Sequence, residues 1–247
     1  MKIFFFLVLF CIPVQAWAII NAEDLDLSMD EAGIAGKIGL SLTGSSGNSD
    51  KTNGEASGRL MWRHARHTEM LVGSYTYGTS RGIRDTNKAF AHLRHRYALN
   101  NVWDIEAFAQ AQQNEFASLK LRTLLGGGMR WTHRDNDLTL HVGMGAFHER
   151  EKLRNSIAPA TRLWRGNAYM ALGYSVNERV RLQNTLYFQP ALNDSADYRL
   201  LDDAALSVTL TEQLDLRLSI EYANDSKPPV GIKDTDINYK TGLELRF

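Results

Sequence analysis

The stretch INYKTGLELRF, residues 237–247, alternates apolar and polar side chains up to its last residue. One face carries the odd-numbered positions: Ile237, Tyr239, Thr241, Leu243, Leu245 and Phe247. The even-numbered positions between them are small, polar or charged. Successive side chains of a β-strand point to opposite faces of its sheet, so a period of two predicts a strand with one apolar and one polar face.

The same period recurs along the chain in segments near the 9–11 residues that a tilted strand needs to cross a bilayer. We predict about twelve strands, at 32–43, 53–64, 68–78, 87–98, 103–113, 118–131, 137–148, 161–174, 180–190, 201–210, 214–224 and 235–247. In 68–78 two registers compete, one with Met70 and Val72 on the apolar face and one with Leu71 and Tyr75. An even number of strands fits an all-β, closed antiparallel transmembrane barrel, in which the last strand pairs with the first.

Composition leaves strands as the only way for this chain to cross a membrane. Hydrophobic residues make up 44% of the sequence and the mean hydropathy is −0.31. After Val14 there is no apolar run long enough for a spanning helix. The 28 basic and 28 acidic residues balance, which argues against a nucleic-acid partner.

The first 18 residues have the pattern of a signal peptide: a charged start, an apolar run and small residues at an A-x-A site. We therefore expect three parts, namely a signal peptide at 1–18, a periplasmic leader at 19–31 and an outer-membrane barrel at 32–247. The single Cys11 lies in the first part, so the exported chain would have no disulfide and no thiolate metal site. The expected location is the outer membrane of a bacterial cell.

The connections between the predicted strands alternate in length. Short ones fall at 64–67, 99–102, 133–136, 175–179 and 211–213, and longer polar ones at 44–52, 79–86, 114–117, 149–160, 191–200 and 225–234. Short periplasmic turns and longer extracellular loops, with both chain ends in the periplasm, are typical of outer-membrane barrels.

Aromatic residues fall near the predicted strand ends on the apolar face, where Trp and Tyr form girdles at membrane interfaces. The predicted girdle residues are Trp62, Tyr97, Trp103, Trp131, Trp164, Tyr174, Phe188, Tyr222 and Phe247. The apolar alternating last strand ending in Phe247 resembles the signal that the outer-membrane barrel-assembly machinery recognises. That machinery and outer-membrane lipid are therefore the expected partners.

The polar face is rich in charge, and we predict that it lines the lumen. The candidate lumen residues are Arg59, Arg63, Arg94, Arg96, Glu106, Lys120, Arg122, Arg130, Arg165, Arg181, Arg217 and Glu221. In one interpretation they form a narrow pore in which arginines bind small anionic solutes. In the other they pair with carboxylates and fill the barrel as an ion-paired plug, in a protein with an envelope-structural role.

Other chemistry has weaker signals, and we predict no catalytic residue, metal or cofactor. His92 with His95 and His64 with His67 are three residues apart, a spacing that on a strand points the two rings to opposite faces. A lipid-modifying enzyme of the phospholipase type would need a Ser–His pair on the lipid-facing wall, with His95 as its histidine and Ser74 as the candidate serine. A soluble periplasmic β-protein is the third alternative.

Four glycines on the predicted polar face, Gly126, Gly128, Gly143 and Gly145, favour a structural explanation. Missing side chains allow strong coiling of the strands and leave space for a Tyr or Arg from a neighbour.

Several stretches resemble one family, the domain of unknown function 481 (DUF481), whose members are often labelled salt-induced outer membrane proteins. The stretches that carry the resemblance are Gly-Asn-Ser at 47–49, Phe116 with Leu-Lys-Leu-Arg at 119–122 and the glycines that follow, and Pro-Pro-Val-Gly at 228–231 before the last strand. The resemblance spans nearly the whole chain after residue 18. It implies a barrel in the outer membrane and no established activity.

Overall fold

The computed structural model describes residues 21, 23, 32–46, 50–154, 157, 159–229 and 231–247. These residues form twelve strands: β1 (Gly33–Ser45), β2 (Lys51–His64), β3 (His67–Ser80), β4 (Ile83–Ala98), β5 (Trp103–Asn114), β6 (Leu119–Asp135), β7 (Leu138–Leu153), β8 (Thr161–Ser175), β9 (Val180–Ala191), β10 (Asp194–Thr209), β11 (Leu214–Asp225) and β12 (Thr235–Arg246). In this part of the chain no helix is long and apolar enough to span a membrane. The predicted signal peptide at 1–18 lies outside the described residues, as does the predicted leader at 19–31 except for Asn21 and Glu23.

The strands close into a single antiparallel barrel in which each strand pairs with its neighbours in sequence and β1 pairs with β12. At this seam the register runs from Lys37 opposite Arg246 to Leu40 opposite Leu243. Phe247 extends the seam, because its amide and carbonyl bond to the backbone of Gly36 at 3.0 and 2.9 Å. The last strand therefore pairs with the first and closes the cylinder, which confirms the predicted fold class.

The alternation read from residues 237–247 appears in β12 as two distinct faces. Ile237, Tyr239, Leu243 and Leu245 are exposed on the outside of the barrel. The even-numbered residues between them point inward and are less exposed. Lys240 also points inward, into a cavity, but it is exposed there. The same division holds on the other strands, so the outer wall is apolar and the interior is polar and charged.

In β3 the competing registers resolve in favour of an inward-facing Met70 and Val72. Both are buried and pack with Met61 and Phe90 inside the barrel. Leu71 and Tyr75 are exposed on the outer wall. The interior is therefore apolar at this patch of the wall.

The prediction of long loops is wrong at two positions. Residues 79–86 and 191–200 mostly continue the neighbouring strands, which turn back at 81–82 and 192–193. At the first of these turns Arg81 and Gly82 both have positive φ, of 50° and 73°. Two positive φ values match the twist of a two-residue hairpin, so polar sequence at these positions forms hairpin tips instead of open loops.

We call the barrel end that holds Gly33 and Phe247 the terminal rim, and the other end the opposite rim. The terminal rim carries the turns 65–66, 99–102, 136–137, 176–179 and 210–213. The opposite rim carries the longest connections, at 154–160 and 226–234, beside the two hairpin tips.

Candidate functional site in the barrel interior

The interior of the barrel holds most of the residues that the sequence assigns to a lumen. Arg94, Glu106, Arg122, Arg130 and Arg165 are each at most 5% exposed. On the same inward-facing positions, a second set is half-buried: Arg59, Arg63, Arg96, Arg181, Arg217 and Glu221. These residues come from strands all round the barrel, so the charged surface is continuous through the interior.

Lys120 does not lie with them, and its assignment to the lumen is wrong. Leu119 pairs with Leu153 and Leu121 with Lys152, so Lys120 is the extra residue of a β-bulge. A bulge offsets the alternation of side chains along a strand. Lys120 is consequently exposed, whereas Leu119 is buried.

Arg94, Arg96, Arg130 and Glu106 form what we call the central arginine cluster. Arg94 donates to Glu106 at 3.0 Å. Arg96 lies directly across the strand pair from Glu106. Tyr169, from the facing wall on β8, donates its hydroxyl to the other oxygen of Glu106. The cluster therefore ties β4, β5, β6 and β8 together across the interior.

Glu23 inserts its carboxylate into this cluster. One carboxylate oxygen accepts from Arg94, and the other accepts from Arg130 at 2.9 Å. Its backbone carbonyl accepts from Arg59 on β2 at 3.1 Å. Glu23 is 4% exposed. Nearby, Asn21 donates to Asp203 on β10 at 2.8 Å. These two residues of the predicted periplasmic leader thus lie inside the barrel.

A second network, which we call the Glu149 network, lies nearer the opposite rim. Glu149 accepts from Arg122 at 2.8 Å, from Arg165 at 3.5 Å and also from Arg199. The three arginines have further partners in Glu151, Asp197 and Asp225. Glu149 and Arg199 come from β7 and β10, so the network crosses the interior.

Four residues of this network were not among the predicted lumen residues because they fall in predicted loops: Glu149, Glu151, Arg199 and Asp225. β7 continues through Leu153 and β10 begins at Asp194, several residues beyond the predicted bounds. The alternation of Glu149 and Glu151 with Arg150 and Lys152 was the signal that could have extended β7.

The additional carboxylates change the charge balance of the interior. The carboxylates that the structure adds to the predicted lumen residues are Glu23, Glu149, Glu151, Asp203, Asp215, Asp225 and Asp236. The bases that it adds include Lys37 and Arg199. The basic excess among the predicted lumen residues is therefore largely offset. At the central arginine cluster, Glu106, Asp104 and Glu23 balance the three arginines.

A cavity of about 140 Å³ lies beside the cluster, against the strands on both sides of the β1–β12 seam. Its polar lining includes Glu55, Arg59, Ser74, Glu221 and Lys240. Lys240 lies 3.2 Å from Glu55. Arg59 reaches both the cavity and the backbone of Glu23, so the cavity and the cluster are adjacent.

Glycines in β6 and β7 leave space for neighbouring groups beside the central arginine cluster. A Cβ on Gly128 would come within 2.8 Å of the Gly145 backbone, so the two strands approach closely here. A Cβ on Gly143 would enter the ring of Tyr169. The prediction that these glycines leave space for a Tyr is confirmed at Gly143, and that Tyr is the one that bonds Glu106.

The predicted girdle residues lie on the outer wall. Trp62, Trp103, Trp164, Tyr174, Phe188 and Phe247 are exposed, and Tyr97, Trp131 and Tyr222 are half-buried. Trp103 pairs with Trp131, and the ring of Tyr97 lies 5.1 Å from that of His67 at a tilt of 57°, at the terminal rim. Trp164 and Phe188 lie toward the opposite rim. Their role at a membrane interface stays a prediction.

The histidines and the candidate serine are distributed differently from the expectation. His95 is on the outer wall, 2.7 Å from Glu69, but Ser74 lines the interior cavity. The prediction that Ser74 shares the outer wall with His95 is therefore wrong, because the register of β3 turns even-numbered residues inward.

The prediction that the rings of His64 and His67 point to opposite faces is also wrong. They flank a hairpin turn, so they are cross-strand partners whose rings stack at 5.2 Å. His92, by contrast, lies inside the barrel, bonded to Gln110, on the face opposite His95. Among the described residues, no three His, Cys, Asp or Glu side chains are grouped so that they could hold a metal ion.

Comparison with known proteins places this barrel in a family. The sequence matches the family described as "Protein of unknown function, DUF481" over residues 38–247. The chain belongs to the DUF481 family. No curated protein matches it in sequence.

Solved structures share the barrel fold of this DUF481 chain. A NanC porin superposes with a TM-score of 0.54 and 13% identity, over 85% of this chain and 98% of the porin. A KdgM porin superposes with a TM-score of 0.47 and 12% identity, over 87% and 99% of the two chains. At 13% identity the likeness to the NanC porin shows the fold alone.

Proposed function

We propose that this protein is an integral β-barrel of the bacterial outer membrane that lets small polar solutes diffuse through its interior and performs no catalysis. The observation that carries the proposal is the closed wall, whose outer face is apolar and whose inner face is mostly polar and charged. A closed wall leaves no backbone group unpaired in the hydrocarbon, and its apolar face matches lipid.

The central arginine cluster supports a preference for anions. Its three arginines face Glu106 and Asp104 on the strands, and Asp104 lies directly opposite Arg130. Three positive charges against two negative ones leave one in excess on the barrel wall, and the Glu23 carboxylate balances it in this structure. Arginine side chains offer fixed, bidentate hydrogen bonds to oxyanions, so a small anion would be favoured at this level of the interior.

A second candidate is a filled barrel that supports the envelope without transport. The side chains of Tyr169 and Arg199 reach partners on distant strands, which narrows the interior at two levels. Ion pairs that cross a small barrel in this way can also serve as packing.

Conductance of the purified, refolded protein in planar bilayers distinguishes the two candidates. Under a KCl gradient we expect small steps in the current. The sign of the reversal potential should show that chloride permeates better than potassium. Arg96→Gln should reduce that preference, and Arg179→Gln, in an exposed turn, serves as the matched control. Folded protein that leaves bilayers silent would contradict the channel and support the filled barrel.

For assembly we propose that the outer-membrane barrel-assembly machinery recognises β12. Phe247 is 64% exposed on the outer wall, and its backbone completes the seam. Phe247→Ala should lower the rate at which purified machinery in vesicles folds the protein, while Phe116→Ala, an exposed Phe in a turn, should not. Equal rates for both variants would contradict this recognition.

A further inference from the structure

The central arginine cluster has a ligand in this structure, and the ligand is part of the same chain. Glu23 presents one carboxylate oxygen to Arg94 and the other to Arg130. The arrangement is that of a carboxylate-binding site, with one guanidinium for each oxygen.

The walls of the site hold the arginines in place. The guanidinium of Arg94 lies over the rings of Phe108 and Tyr169, at 5.9 and 5.8 Å from their centroids. Its position is also fixed by the bond to Glu106. Arginine held on aromatic faces loses little further freedom when it binds an oxyanion.

The site has unused hydrogen-bonding capacity. Arg130 is 2% exposed, and its Nε has no hydrogen-bond partner among the described residues. The Nε of Arg96 is likewise without a partner in the described part of the chain. Buried donors that lack partners favour an occupant with several acceptor oxygens.

Only one carboxylate fits at a time. Glu23 already contacts both Arg94 and Arg130 through its two carboxylate oxygens. A solute that reached the cluster would therefore have to replace the Glu23 side chain. The adjoining cavity of about 140 Å³, which shares Arg59 with this site, could hold the remainder of a small solute.

We propose that the central arginine cluster is a binding site for carboxylate-bearing solutes and that Glu23 is its internal competitor. If Glu23 leaves, three arginines face two carboxylates, and a buried positive charge without a counter-ion is costly. A carboxylate from solution restores the balance. The inference rests on the proposal that solutes enter the barrel interior.

Chemical rescue of Glu23→Ala tests the site, since acetate replaces the atoms that this substitution removes. The readout is the folded fraction of detergent-solubilised protein in urea, at constant ionic strength, from heat-modifiable gel mobility. Acetate at ten times its dissociation constant should raise the folded-to-unfolded ratio of Glu23→Ala about elevenfold. The wild type, whose site is filled, should change by less than about twofold.

Three controls separate this binding from general effects. Acetamide, the neutral analogue of acetate, should not stabilise Glu23→Ala. Glu178→Ala removes a carboxylate from an exposed turn and should not respond to acetate. Adding Arg130→Gln to Glu23→Ala should abolish the acetate response. If Glu23→Ala does not fold, Glu23→Gln takes its place, and a smaller response specific to acetate is expected.

An equal effect of acetate and acetamide on the variant that folds would overturn the proposed site. Conductance measured on the same preparations tests the channel proposal independently of the carboxylate site. Acetate rescue together with a silent bilayer would support the carboxylate site and reject the channel. Acetate rescue with a larger chloride current in Glu23→Ala than in the wild type would support both.

Discussion

Substitution of Glu149 should lower the free energy of unfolding strongly, because three buried arginines share its carboxylate. In Glu149→Gln, Arg165 keeps Asp197 at 2.8 Å and Arg199 keeps Asp225 at 2.9 Å. Arg122, which is 1% exposed, keeps only Glu151 among the described residues, at 4.0 Å. The loss therefore falls mainly on one buried guanidinium.

Removing one partner of a buried ion pair typically costs about 3–5 kcal/mol. At about 1.4 kcal/mol per tenfold change, the folded-to-unfolded ratio should fall roughly 150- to 5,000-fold. The measurement is reversible urea unfolding in lipid vesicles, followed by heat-modifiable gel mobility. Glu178→Gln, in the exposed turn 176–179, is the matched control and should stay within about 0.5 kcal/mol of wild type.

A double-mutant cycle gives the result more force. Combining Glu149→Gln with Arg122→Gln removes both charges, so the double variant should be less destabilised than the sum of the two single variants. A Glu149→Gln midpoint equal to that of Glu178→Gln would refute the reasoning, since the interior would then be wet enough to screen Arg122.

Two further predictions test the glycines and the outer wall. Gly143→Ala should force the Tyr169 ring aside and cost about 1–3 kcal/mol in urea unfolding, whereas Gly166→Ala, whose nearest neighbour atom would be 3.5 Å away, should be close to neutral. Met144 and Ile83 are both 74% exposed, near the middle of β7 and at the first residue of β4. In vesicles, Met144→Arg should cost about 2–4 kcal/mol and Ile83→Arg about 0–1 kcal/mol, and equal costs would contradict a lipid-facing wall.

Strands could be predicted from the sequence because lipid on one side and polar interior on the other impose a period of two. β12 is the clearest case, since its whole apolar set is exposed and Lys240 is the one exposed residue of the polar set. The period fails where geometry departs from a regular strand: at the bulge around Lys120, and at the hairpin turn that brings His64 beside His67.

The contacts within the interior could not be predicted in the same way. Tyr169 and Glu106 lie on β8 and β5, and their meeting depends on the stagger of strands that are not neighbours. Hydrophobic patterning fixes which face a residue takes, but not the height at which two distant strands present their side chains. The place of Glu23 is harder still, because residues 19–31 show no period.

Site-directed spin labelling along residues 237–247 in lipid vesicles tests the central claim most directly. The only native cysteine is Cys11, in the predicted signal peptide, so single cysteines can be introduced without background in the exported chain. We predict that accessibility to oxygen dissolved in lipid rises at Ile237, Tyr239, Leu243 and Leu245 and falls at the positions between them. Accessibility without this alternation, or high values at the inward positions, would contradict a barrel whose apolar wall meets lipid.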